Sequence, residues 1–280
     1  MKPTILALAA VMAVAGVVSS AEPEGARNFD QTKDFLSLHY DHAPDKDDAH
    51  SAAADRTILE SRYGRDWIKK HVAAVSGTYG KNAKGFNPKS DEVMDAAWND
   101  CGGWLAGHTK RERVVTGLFE RWSAVLRNGG DVWVKEGGQS DITAEVVKRI
   151  RGQIPDTDTN KRIHVVQHSS WNEEQTTDEA LAYTKTHTDY IRIKDSNRFL
   201  NVAGGNEAFV TAARQHPVFG PLWKAAFTYY PPENRLDFSD TGELMHILGL
   251  GEIGIDEFRK RFLVNTEEKA PDKPDAADGK

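Results

Sequence analysis

The chain has 280 residues, of which 39% are apolar and 28% charged, enough for one substantial α/β domain and too polar for a multi-span membrane protein. Lys and Arg number 36 against 42 Asp and Glu, a formal charge of −6, so a nucleic-acid polymer is not an expected partner. The single cysteine, Cys101, can form neither an intrachain disulfide nor a thiolate metal knuckle.

Lys2, an apolar run from Ile5 to Val18 and Ser19-Ser20-Ala21 read as a secretory signal peptide cleaved after Ala21, which predicts a secreted or periplasmic protein with no membrane contact once cleaved. Beyond it, strands and helices alternate. The apolar run 34–40 predicts a strand, 49–63 a helix, and 71–76 a second strand ending at Gly77-Thr78-Tyr79-Gly80. Helices follow over 91–105 and 110–127, the second closed by Gly129-Gly130, then a strand over 131–135 and a helix over 141–151. Residues 162–167 and 190–193 read as strands on either side of a helix over 173–186. This alternation predicts an α/β fold, a mainly parallel doubly wound sheet with helices on both faces. After Asn197 the strand signal fades into helical stretches at 208–215, 221–229 and 241–248. Residues 28–265 form one domain in this reading, and 266–280, rich in Lys, Glu, Asp and Pro, a disordered tail. Trp98, Trp104 and Trp122 fall within helical stretches and are assigned to the core.

In such a sheet ligands bind beyond the carboxyl ends of the strands. The loop after the first strand carries Asp41, Asp45, Asp47 and Asp48 within eight residues. That many carboxylates repel unless a positive charge sits among them, and a hard divalent cation held by oxygens answers the repulsion. The plainer alternative is an acidic helix cap with solvated charges. After the strand 162–167, Trp171 offers a face on which a sugar or base stacks, with His168 and Asn172 as hydrogen-bonding partners. The alternative there is a surface turn with Asn172 capping the next helix.

The run Asp41-His42-Ala43-Pro44-Asp45-Lys46-Asp47-Asp48-Ala49 resembles the N-terminal DxDPGxDDA signature of the nucleoside hydrolase family, and more closely the DxxxExDD variant of secreted nucleoside-hydrolase-like domains. Gly137-Gly138-Gln139-Ser140-Asp141 is similar to the family's GPLTN turn, and Asp240-Thr241 to the start of its last helix. The resemblance implies Ca²⁺ held by Asp48, by Asp41 or Asp47, by the Ser140 carbonyl and by Asp240, with two hydroxyls of a small-molecule glycosyl substrate and a water completing the shell. It further implies that a carboxylate takes a proton from that water, which attacks the anomeric carbon as the leaving group departs through an oxocarbenium-like transition state. Asn82 matches in position an Asn that touches the sugar. Two positions depart from the family: Ala43 stands where its second Asp, the usual base, is found, so that Asp41 or Asp45 must act as base, and Ser239 replaces the His that assists the leaving group.

Two other readings stand beside this one. His39, His42 and His50 interleave with the acids, and imidazole ligands would select Zn²⁺ or Mn²⁺ in a transition-metal hydrolase. A non-catalytic sugar-binding protein of the same fold is the third. A homo-oligomer is compatible with each.

Overall fold

A computed structural model describes residues 28–43 and 46–264. The signal peptide, the acidic tail and the candidate base Asp45 therefore lie outside the described residues. Six strands form a parallel sheet: β1 Phe35–Tyr40, β2 Val72–Ser76, β3 Trp104–Ala106, β4 Val132–Gly137, β5 Ile163–Gln167 and β6 Asp189–Arg192. Their order is β3-β2-β1-β4-β5-β6, the order of a doubly wound α/β fold, whose chain reverses direction between β1 and β4. Every residue of β1 and β4 is buried, as expected for central parallel strands covered on both faces.

Alternation along these strands feeds two cores. Leu36, Leu38 and Tyr40 of β1 point with Trp133 of β4 into a layer that contains Ala52, Ile58, Met94, Trp223 and Leu244. Phe35 points with Val132 and Val134 into the opposite layer, which contains Leu118, Trp122, Val146 and Ile150. The helices that supply them are α1 Asp48–Tyr63 and α3 Asp91–Trp98 on the first face, and α4 Gly107–Arg127 and α5 Asp141–Gln153 on the second. A short helix, α2 Arg65–His71, links α1 to β2. No helix among the described residues is long and apolar enough to cross a membrane.

Three local expectations need correction. The stretch 91–105 is not one helix: it stops at Trp98, and Gly102 and Gly103, with φ of 113° and 79°, turn the chain into the edge strand β3. Backbone in that region excludes helix continuation and is cheap only for glycine. Trp104 accordingly lies in a strand and is only partly buried. The stretch 173–186 is two helices, Ser170–Gln175 and Asp178–His187, because the Asp141 carboxylate accepts from both the backbone N–H and the hydroxyl of Thr177 and holds that residue extended. Strand character also persists after Asn197, where β7 Asn201–Ala203 and β8 Arg235–Asp237 pair antiparallel in a two-stranded sheet.

Candidate metal and substrate site

The carboxyl ends of β1 and β4 open where the strand order reverses, the place a doubly wound sheet offers a ligand. A cleft of about 160 Å³ lies there, bounded by Asp41, Asp47, Asp48, Asp237 and Asp240 and by His168, Trp171 and Asn172. Asp41 follows β1. Asp47 caps α1, accepting from the Asp48 N–H at 3.1 Å, and Asp48 is the first residue of that helix. Asp240 opens the helix Thr241–Ile247. One carboxylate oxygen from each of Asp47, Asp48 and Asp240 lies within 4.8 Å of the others. Ligands on opposite sides of one calcium ion, each 2.3–2.6 Å from it, sit at most about 5 Å apart, so the spacing fits a shared ion.

Burial and mutual repulsion decide the protonation of this cluster. Asp41 is pushed up to about 7, by burial first and by the charges of Asp47 and Asp240. Asp48 is raised far above its ordinary value by burial and by Asp41 and Asp240. One of its oxygens accepts the His42 N–H, whereas Oδ1 is buried with no partner among the described residues. An orphaned carboxylate oxygen aimed into a group of acids is the expected signature of a cation ligand. Asp240 goes the other way: burial raises it, but the hydrogen bond from His168 and the charges of Lys135 and His168 outweigh burial and hold it below the ordinary range.

Two cations are built into the floor. His168 Nε2 lies 2.9 Å from Asp240 and Nδ1 3.4 Å from Asp195. Burial lowers its pKa, yet these two acids and Glu243 lift it to about 10, so the ring is an imidazolium at neutral pH. Lys135 is fully buried, with Nζ 3.5 Å from Asp55 and 4.0 Å from the centre of the Tyr40 ring. Burial alone would lower its pKa, but Asp55, Asp240, Glu243 and Asp48 raise it.

The loop after β4 sets the geometry. A side chain at Gly137 would strike Lys135, the His39 carbonyl and Asp240, and one at Gly138 would strike Thr78 and Asp41, so glycine at both positions lets the two strand ends close on each other. Gln139 fixes Asp41: its Nε2 donates to Asp41 Oδ2, and its Oε1 accepts from the Gly80 N–H at 3.1 Å. The other oxygen of Asp41 accepts from the Ala43 N–H at 2.8 Å.

Not every residue singled out in the sequence reaches this cleft. The Ser140 carbonyl accepts the Ala144 N–H as the first bond of α5, and the turn residue that faces the cleft is Gly137. Asn82 stands beyond β2 in a 3-10 turn, where its carbonyl accepts from Gly85, and does not line the cleft. Asn172 lies inside its helix, which Ser169 caps by accepting the Asn172 N–H. The imidazoles do not converge either. His39 points to the opposite face of β1, with Nδ1 2.8 Å from Glu136 and Nε2 2.9 Å from Ser37. Those three groups stand in the order of an acyl-transfer triad, but all are completely buried mid-sheet and serve to tie β1 to β4. His50 is engaged by the Tyr230 carbonyl at 2.8 Å and the Asp237 N–H at 3.3 Å. Of these three only His42 comes near, with Nδ1 4.0 Å from Asp48, its backbone at φ 51° and both ring nitrogens without a hydrogen-bond partner among the described residues.

Lys135, Asp237 and Glu243 belong to the site without any motif in the sequence to announce them. Alternation along β4 was the one available signal, because it places a lysine inside a buried strand, where a charge needs a partner. A far larger cavity, about 1140 Å³, lies at the other end of the sheet beside Trp133, His164 and Asp189. There His164 stacks on Trp133 at 4.0 Å and is bonded to Asp189 at 2.7 Å. No protein-family model, no curated protein and no solved structure matches the chain.

Proposed function

We propose that this protein is an exported hydrolase that binds Ca²⁺ and one glycosyl ring in the cleft and cleaves the ring's N-glycosidic or glycosidic bond with water. The observation that carries the reading is the convergence of Asp47 and Asp48, from the start of the domain, with Asp240, from near its end, beside the half-buried Trp171 at the sheet's switch point. The donors are all oxygens, His39 and His50 being bonded elsewhere, which favours a hard cation such as Ca²⁺ over Zn²⁺. A cleft of about 160 Å³ suits one sugar ring, being well below the ~300–1,000 Å³ of pockets for larger ligands. These features agree with the resemblance to nucleoside hydrolases in the acidic loop and the Asp-Thr pair.

When bound, the cation would orient sugar hydroxyls and acidify a water. Asp41 is the candidate base: Gln139 and the Ala43 N–H fix both its oxygens, and a proton affinity near neutrality suits transfer at physiological pH. The surrounding carboxylates favour the positive charge that develops on the ring. Trp171 supplies a stacking face and Asn172 an amide to orient the ring. His168 spans Asp240 and Asp195 and positions Asp240.

Asp240→Asn tests this with a panel of nucleosides and glycosides, by release of free base or reducing sugar with and without Ca²⁺. Wild type is expected to turn over at least one member in Ca²⁺, and the variant to lose more than about a hundredfold, since partners of metal ligands alone cost 10–100-fold. Turnover that survives both chelation and Asp240→Asn contradicts the reading. Ala43 and Ser239, which replace a carboxylate and an imidazole of the family pattern, favour the second reading of a sugar-binding protein, and binding of a panel member without turnover would establish that reading instead.

A further inference from the structure

One wall of the cleft carries a cation that the chemistry above does not use. Arg235 opens β8, is exposed and lines the cleft, yet among the described residues its guanidinium makes no hydrogen bond, ion pair or ring contact. Other arginines of this part of the chain are paired: Arg192 with Glu173 at 3.4 Å, Arg198 with Glu252 at 2.9 Å and Arg214 with Glu233 at 3.4 Å. Among the described residues the cleft offers five carboxylates, and Arg235 lies within ion-pair distance of none of them. Asp237, two residues further along β8, is the nearest in sequence. Residues two apart on a strand share a face and are separated by about 6.6 Å, which places Arg235 outward of Asp237, at the rim. Asp237 is itself turned inward: it is buried, accepts the Ser239 N–H at 3.2 Å and feels the charges of Asp47 and Asp240.

The neighbouring amides leave the same gap. Asn201 donates to Asn197 at 2.7 Å and Asn197 to Asp195 at 2.9 Å, so these side chains are committed to each other, and among the described residues the guanidinium is an uncommitted donor on that wall. A guanidinium presents paired N–H groups that match a phosphate or carboxylate edge, and it is held apart from acids that would otherwise neutralise it. We propose that Arg235 selects glycosyl substrates whose sugar carries an anionic substituent, a phosphate or a carboxylate, located across the ring from the hydroxyls that meet the aspartates. The proposal rests on the reading of the cleft as a cation-dependent glycosyl site and names its substrate class.

Calorimetric titration of the Ca²⁺-treated protein with ribose, ribose 5-phosphate, glucose and glucuronate tests it, in wild type and in Arg235→Gln. Arg235 is exposed on a short strand, so the substitution leaves the core untouched. Wild type is expected to bind ribose 5-phosphate, glucuronate or both about ten- to a hundredfold more tightly than the matching neutral sugar, the range of charge-assisted hydrogen bonds. The responding member identifies the anion. Arg235→Gln is expected to erase that preference with the neutral sugar's affinity unchanged, and 0.5 M NaCl to shrink it in wild type, because an exposed charge is screened. Equal affinity for neutral and anionic partners, or a preference that persists in Arg235→Gln, overturns the proposal while leaving the glycosyl site standing. Binding of no sugar at all overturns both.

Discussion

Replacing Lys135 with methionine is expected to cost the protein about 3–5 kcal/mol in the presence of a chelator, the loss typical when one partner of a buried charge pair is removed. At about 2–4 °C per kcal/mol for a domain of this size, the melting temperature falls by roughly 10 °C. The side chain is completely buried, and methionine fills nearly the same volume, so the loss reads charge and not packing. Asp55 is left behind, fully buried, with Oδ2 bonded to the Tyr40 hydroxyl at 2.7 Å and Oδ1 without a partner among the described residues. Burial already raises the Asp55 pKa, and the Lys135 charge opposes that rise. Because Lys135 also faces Asp48, Asp240 and Glu243, it acts as a tethered cation beneath the acid cluster. Calcium is therefore expected to recover part of the loss in Lys135→Met, and the melting shift between chelator and Ca²⁺ to be larger in the variant than in wild type. An identical loss under both conditions would confine the lysine's role to Asp55. The double variant Lys135→Met with Asp55→Asn is expected to recover the share of the loss that belongs to Asp55, since neither member of that pair is then left charged, and to keep the calcium-dependent share that belongs to Asp48, Asp240 and Glu243.

Stability without a divalent cation is expected to fall as pH rises from about 4 to about 8. Asp41, ordinarily 3.8, is pushed to about 7, Asp237 to about 7 and Glu243 to about 8, each by burial first. For an acid whose folded pKa lies above its unfolded one, the folded state holds more protons between the two values, so stability declines across that window. One group moved from 3.8 to about 7 accounts for about 4 kcal/mol at 1.36 kcal/mol per pH unit. His168 adds to the same trend. Its folded pKa, about 10 against an ordinary 6.5, makes its contribution complete below 6.5 and lost as pH climbs toward 10. The lowered pKa of Asp240 works in the opposite direction only in acid, where its contribution is lost as pH falls below its ordinary value of 3.8. Calcium binds ionised carboxylates and is expected to reverse the slope, its stabilisation growing with pH. Thermal melts at pH 5, 6, 7 and 8, with chelator and with calcium, check both signs. A metal-free protein more stable at pH 8 than at pH 5 would show that the cluster does not carry the strain assigned to it.

The sheet was legible because its signal is one-dimensional. Strands such as 34–40 and 162–167 are short apolar runs separated by helical stretches, and that alternation permits little besides a parallel sheet. The edge strand β3 was not, because Trp104–Ala106 has three residues and its cue is the pair Gly102-Gly103, which reads as a helix end with nothing specified after it. Within the site, the residues that announced themselves were those at element termini: Asp41 after a strand, and Asp47, Asp48 and Asp240 at helix starts. Lys135 and Glu136 are adjacent in sequence and opposite in role, one facing the acid cluster and the other the sealed pair with His39, a division fixed by strand pleating and register with β1. Arg235 and Asn201 come together only through the pairing of β7 with β8, a contact between segments with no strand signal of their own. His168 reads in the sequence as a hydrogen-bonding partner for a ligand; in the structure it lines the cleft and holds both its nitrogens beside acids, a pairing no spacing announces.

The most direct test is a calorimetric calcium titration of the intact chain at pH 7 in wild type, Asp48→Asn, Asp240→Asn and the control Asp91→Asn, whose carboxylate lies beside His108 and not at the cluster. A site shared by Asp47, Asp48 and Asp240 requires one calcium per chain in wild type and in the control, and loss of that binding in each of the other two variants. Calcium bound equally by all four proteins, or by none of them, would contradict it.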